Sequence, residues 1–206
     1  MKIFLHELFI ETTAVLWNAH NYEAINYFTS VPYINYFSYK NDLSNFKDVF
    51  YSLSDTEIYS IFQFLGRYLY NGSNKGFYYH SGLAEYWLRN IPVKFINKND
   101  FVNADCLLTN ISLITAGDSW FALSYMYLIN GESEVIKEIG ISLKSRKLAK
   151  DYYLLFDTDK EAFIESLKVM NDISQNYELR LSYNGVFNAI PLISNYIKID
   201  EVESLK

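Results

Sequence analysis

The sequence predicts a mainly α fold, either an antiparallel helical bundle or a short helical-repeat stack. Three observations predict it. Apolar residues recur at three-and-four spacing along most of the chain, helix-start signals of the Ser/Thr-x-x-Glu type occur twice, and strand-like alternation is confined to one stretch near the C-terminus. Half of the 206 residues are hydrophobic and 20% are charged, so the chain can bury a core without disulfides or metals. One helical domain spanning residues 1–206 is expected.

Leu5, Leu8, Phe9, Thr12 and Leu16 gather on one helix face and predict a helix near residues 3–18. A second starts at Asn21-Tyr22-Glu23-Ala24-Ile25 and should end at Ser30-Val31-Pro32, because proline disfavours helical geometry in the residue before it. Residues 33–53 are ambiguous, with room for a short helix from Asp42 to Tyr51. Ser54-Asp55-Thr56-Glu57 is a capping box, followed by the stripe Ile58, Ile61, Phe62, Leu65 and Leu69. Residues 71–76 read as a loop, and Ser81 can cap a helix through Trp87 that Ile91-Pro92 ends.

Two helices, from about Asp100 to Ala116 and from Ser119 to Ile129, are apolar nearly all round and therefore centrally buried, with Gly117 closing the first and Asp118 capping the second. A helix from Leu143 to Phe156 follows. Thr158-Asp159-Lys160-Glu161 is a second capping box, for a helix reaching about Ser174. Tyr177, Leu179, Leu181 and Tyr183 alternate with polar residues before Asn184-Gly185, which spells either a small β-hairpin near 177–190 or a continued helical run.

Composition narrows the function classes. The net charge of −6 argues against a protein built to hold nucleic-acid phosphates. The lone Cys106 excludes an internal disulfide and suits a reducing compartment. Glu7 and Glu11 break the opening apolar stretch before a signal-peptide core is complete, and Gly117-Asp118 cuts the longest apolar region into pieces too short for a bilayer, so a cytoplasmic protein is expected. Nineteen Tyr, fifteen Phe and three Trp serve core packing first, as aromatics supply large burial per residue.

Catalytic patterns are sparse. Cys106 lies inside an apolar helix, where a thiol behaves as a small hydrophobe, and Ser119 lacks the second glycine of a nucleophile elbow. Glu7 and Glu11 share a helix face that reads as solvated. His20 falls at a helix end, where it can meet the C-terminal dipole. No zinc spacing, phosphate loop or dinucleotide fingerprint is present, and no cofactor is expected. An enzyme reading would have to use His80 and the 71–76 loop. A nucleic-acid reading would have to use the basic strip Lys144, Arg146, Lys147 and Lys150, which pairing with nearby acids explains more simply.

Charge is the most informative remaining signal. Residues 1–103 carry a net −1 and residues 104–206 a net −5. Glu132, Glu134 and Glu138 form one acidic cluster; Asp157, Asp159, Glu161 and Glu165 form another, partly explained by the favourable effect of negative charge at a helix start. These seven residues are the candidate partner-binding set, because an acidic surface on a compact helical protein speeds encounter with a basic protein and orients it.

Three junctions also look alike: Trp17-Asn18-Ala19-His20-Asn21-Tyr22-Glu23-Ala24, Ala116-Gly117-Asp118-Ser119-Trp120-Phe121-Ala122 and Phe156-Asp157-Thr158-Asp159-Lys160-Glu161-Ala162. Each sets a polar turn ahead of an alanine, and the 40-residue offset from Ala122 to Ala162 suits a helix-pair repeat. Over residues 100–198, in the latter two junctions, the chain resembles the helical immunity proteins of bacterial polymorphic toxin systems. The resemblance implies a non-enzymatic bacterial inhibitor whose partner is a basic, co-encoded toxin.

Overall fold

A computed structural model of the chain describes residues 2–30, 33–34, 43–44, 96–116, 120, 122, 124, 131–175, 180–183 and 186–205. The fold is mainly α. In chain order the described elements are α1 (Lys2–Asn18), α2 (Tyr22–Ser30), β1 (Tyr33–Ile34), β2 (Leu43–Ser44), α3 (Lys98–Ala116), α4 (Glu134–Ser142), α5 (Arg146–Leu155), α6 (Lys160–Gln175), β3 (Arg180–Tyr183), β4 (Val186–Ala189), a 3-10 turn (Ile193–Asn195) and α7 (Ile199–Glu203). The capping box at 54–57 with its stripe, the 71–76 loop, His80 and the helix expected from Ser81 lie outside the described residues.

Helix α3 is the centre. It packs on α1, α4 and α6, while α2 lies on α5 and α7 on α6. Every residue from Phe101 to Ile114 is buried, as its all-round apolar character predicts. One continuous core runs from Trp17 and Ile25 through Leu107 and Ile111 to Phe163, Ile193 and Val202, so both ends of the chain close on the same helix.

The first and third of the similar junctions are built the same way. His20 (φ 52°) and Asp157 (φ 47°) adopt the left-handed conformation that ends a helix, and the amides of Asn21 and Thr158 reach back to Leu16 O and Tyr153 O. The next helix is then capped: Ala24 N donates to Asn21 Oδ1 at 3.1 Å, and Ala162 N donates to Asp159 Oδ1 at 2.8 Å. Asp159, rather than Thr158, is therefore the cap of α6. Asn21→Ala and Asp159→Ala are each expected to cost about 1 kcal/mol in urea unfolding. Thr158→Ala should cost clearly less, and equal losses at 158 and 159 would reassign the cap.

The middle junction differs. The helix expected over Ser119–Ile129 is absent at Trp120, Ala122 and Ser124, which are irregular or turn, so the Ala122-to-Ala162 offset is not a structural repeat. Side chains of α3 replace the helical hydrogen bonds there. Trp120 N donates to Ser112 Oγ at 2.7 Å, and the Asp105 carboxylate accepts Trp120 Nε1 at 2.7 Å, Ser124 N at 2.9 Å and Ser124 Oγ at 2.7 Å. Asn110 treats the C-terminal segment similarly, donating to Pro191 O at 3.0 Å and accepting from Ile193 N at 2.9 Å. Buried backbone outside helices and sheets needs such partners.

Four further expectations are corrected. The buried face of α1 is Phe9, Ile10, Thr13, Ala14 and Trp17, with Leu8 40% exposed; apolar residues surround this helix, so spacing alone does not choose the face. Glu7 and Glu11 are consequently half-buried rather than fully solvated, and both carboxyls are raised above their usual range by burial, Glu7 also by the charge of Glu11. The helix expected from Leu143 to Phe156 starts only at Arg146, after a turn; in one continuous helix Leu143 and Ala149 would point about 120° apart, whereas here both are buried in the core. Leu43–Ser44 pairs with Tyr33–Ile34 as a short antiparallel ladder in place of the start of the helix expected from Asp42.

Helix α4 has no counterpart in the expected elements, although Val135, Ile136 and Ile139 carry a helical stripe behind Ser133, whose Oγ accepts from Ile136 N at 3.3 Å. Arg180–Tyr183 pairs antiparallel with Val186–Ala189, Tyr183 opposite Val186.

Candidate functional site

A cleft of about 250 Å³ opens where the end of α1, the start of α3 and the start of α4 meet. Its position follows from two helix starts tied together. Asn97 caps α3, with Oδ1 accepting from Asn99 N at 2.8 Å and Asp100 N at 3.1 Å, while Asp100 Oδ2 accepts from Asn97 N at 2.8 Å. This reciprocal box orients Asp100 at the cleft. Ser133 caps α4 and donates its hydroxyl proton to Asn103 Oδ1 on α3 at 2.6 Å. The first turns of the two helices are thereby joined.

Three carboxylates surround the cleft: Asp100 on α3, and Glu134 and Glu138 one turn apart on α4. Trp17 and the amide side chains of Asn18, Asn99 and Asn103 complete much of the wall. Among the described residues no Lys, Arg or His lines the cleft or forms an ion pair with these three acids. Asp100 and Glu134 sit in first turns, where the helix dipole favours negative charge, so part of their charge is accommodated structurally. Glu138 accepts from Tyr152 Oη at 3.4 Å.

An aromatic cluster stands behind Glu138. Trp17 and Tyr22 have ring centroids 5.2 Å apart, Tyr22 and Tyr152 5.3 Å, and Trp17 and Tyr152 6.4 Å. Tyr22 and Tyr152 share a hydrogen bond, and burial is the first cause raising both hydroxyl pKa values. His20 Nδ1 lies 3.3 Å from the Tyr22 hydroxyl, so this histidine joins the cluster as well as ending α1.

The seven sequence-predicted partner residues divide. Glu134 and Glu138 reach the cleft, whereas Glu132 pairs on the surface with Lys137 at 3.1 Å. The second cluster is largely occupied with holding the α5–α6 turn: Asp157 is its left-handed residue, Asp159 its cap, and Glu165 pairs with Lys168. Glu161 is exposed in the first turn of α6. In the basic strip, Lys144 pairs with Glu201 at 2.9 Å, and Arg146, Lys147 and Lys150 are exposed.

Asp100, Trp17, Asn97 and Asn103 were not among the expected site residues. The Asn97-x-x-Asp100 spacing is a readable helix-start signal, but nothing local joins it to α4. The Cys106 thiol is fully buried and its pKa is pushed well up, first by burial and then by the neighbouring Asp105 charge, which leaves it a poor nucleophile. Among the described residues, no group of three or more His, Cys, Asp or Glu is arranged to hold a metal ion, and no helix is long and apolar enough to cross a membrane. No protein-family model, curated protein or solved structure matches the chain.

Proposed function

We propose that this chain is a non-enzymatic cytoplasmic inhibitor that binds a basic partner protein, as an immunity protein neutralises a co-encoded bacterial toxin. One observation carries the reading: the Asp100, Glu134 and Glu138 carboxylates are gathered at a cleft where no described residue contributes a basic side chain. Acidic charge gathered at a concave surface focuses the field outward and favours association with a cationic protein. The net charge of −6 acts in the same direction.

The test is copurification of the tagged chain with the basic product of a neighbouring gene, followed by a protection assay in cells producing that product. Association should slow as salt rises. Neutralising Glu132, Glu134 and Glu138 to glutamine should reduce the association rate by about tenfold at low salt. Asp157→Asn with Asp159→Asn removes the second cluster's charge, while asparagine still tolerates the left-handed position and still caps. Unchanged association after both sets of substitutions would remove the electrostatic reading.

A further inference from the structure

We infer that the cleft between α1, α3 and α4 receives one arginine side chain from an extended peptide segment, with the carboxylates of Asp100, Glu134 and Glu138 around its guanidinium. The inference rests on the inhibitor reading and names the contact that reading leaves open. At about 250 Å³ the cleft falls below the roughly 300–1,000 Å³ of small-molecule pockets, which suits one side chain with a few waters better than a nucleotide or cofactor.

The acids stand on two walls, Asp100 on α3 and Glu134 with Glu138 on α4, and do not converge as metal ligands would. A planar guanidinium offers five N–H donors in a fixed fork that can bridge separated acceptors, whereas a lysine ammonium is a compact, strongly hydrated charge. Trp17 adds an indole wall, which favours the weakly hydrated cation.

Asn103 is only 7% exposed and lines the cleft; its Oδ1 is taken by Ser133, but its Nδ2 donates to no described residue. That amide nitrogen opens to the cleft, where a ligand acceptor can bind it in place of water. A carbonyl oxygen of the peptide backbone beside the arginine supplies one, which a free guanidine would lack.

The test uses the full chain and amide NMR, following the Asn103 side-chain NH2 and the Trp17 indole N–H during titration with four probes. These are N-acetyl-arginine-N′-methylamide, its lysine and citrulline counterparts, and agmatine. The capped arginine should shift both signals and bind more tightly than the other three. Glu134→Gln with Glu138→Gln should weaken it by about tenfold with the rest of the spectrum retained, and Glu203→Gln, at an exposed acid on α7, should leave it unchanged. Citrulline or lysine binding as tightly as arginine, agmatine matching the capped residue, or no shift at either site would overturn the inference.

The two proposals fail separately. A basic partner held at full strength by the Glu134→Gln/Glu138→Gln chain would end the cleft inference and leave the inhibitor reading standing. An arginine-binding cleft in a chain that protects against no basic protein would do the reverse.

Discussion

Asp105→Ala is expected to lower the unfolding free energy by about 3–5 kcal/mol. The Asp105 carboxylate is 1% exposed and accepts from Trp120 Nε1, Ser124 N and Ser124 Oγ. Truncation leaves these donors buried beside a small void, and each unsatisfied group costs about 1–3 kcal/mol without strict additivity. Asp105→Asn keeps the volume but turns an amide N–H toward one of the donors, so it should fall between wild type and alanine. Urea unfolding followed by circular dichroism gives the loss. Hydrogen exchange at the Trp120 and Ser124 amides supplies the local readout, because both should lose protection before α6 does. A loss below about 1 kcal/mol, with exchange at 120 and 124 unchanged, would mean that Asp105 does not hold this segment.

Gly140→Ala should cost about 2–4 kcal/mol, although the same change in an open helix interior would gain about 1 kcal/mol. A Cβ built at Gly140 meets Tyr196 Cβ at 2.5 Å and the Tyr196 backbone at 3.5 Å. The obstructing atom is no flexible side-chain end. Tyr196 follows the 3-10 turn that packs on α4, and Asn110 holds that turn through Ile193 N. Relief therefore requires the C-terminal segment to move off α4. A double-mutant cycle with Tyr196→Gly checks the origin of the cost: most of it should vanish once Cβ at 196 is gone. Stabilisation by Gly140→Ala in the wild-type background would disprove the close approach.

Local hydrogen bonding explains which parts of the architecture were readable from the residues. The C-terminal end of α1, the start of α2 and the start of α6 follow from groups three to five residues apart, as in Asn21 with Leu16 and Ala24, and Asp159 with Ala162. Spacing failed where apolar residues encircle a helix. In α1 it selected Leu8, which is exposed, and passed over Ile10 and Trp17, which are buried. It failed again at Ser119–Ile129, where the apolar run suggests a helix but Asp105 and Ser112 draw away the amides of Ser124 and Trp120.

Half of the candidate site was readable in the same sense. Glu134 and Glu138 stand out as an acidic cluster, but their companions Asp100 and Trp17 lie in the half of the chain whose net charge is close to zero. Summed charge along the sequence cannot reveal a cleft assembled from three separate helix ends.

The sequence by itself determined a mainly helical protein, its two polar helix hairpins and the central burial of α3, because capping and apolar periodicity act over one or two turns. Only the tertiary structure decided what the polar residues of that central helix do. Asp105 reaches partners 15 and 19 residues away, and Asn110 reaches partners 81 and 83 residues away. A buried polar group must find a partner, but short-range spacing does not say where in the chain that partner lies.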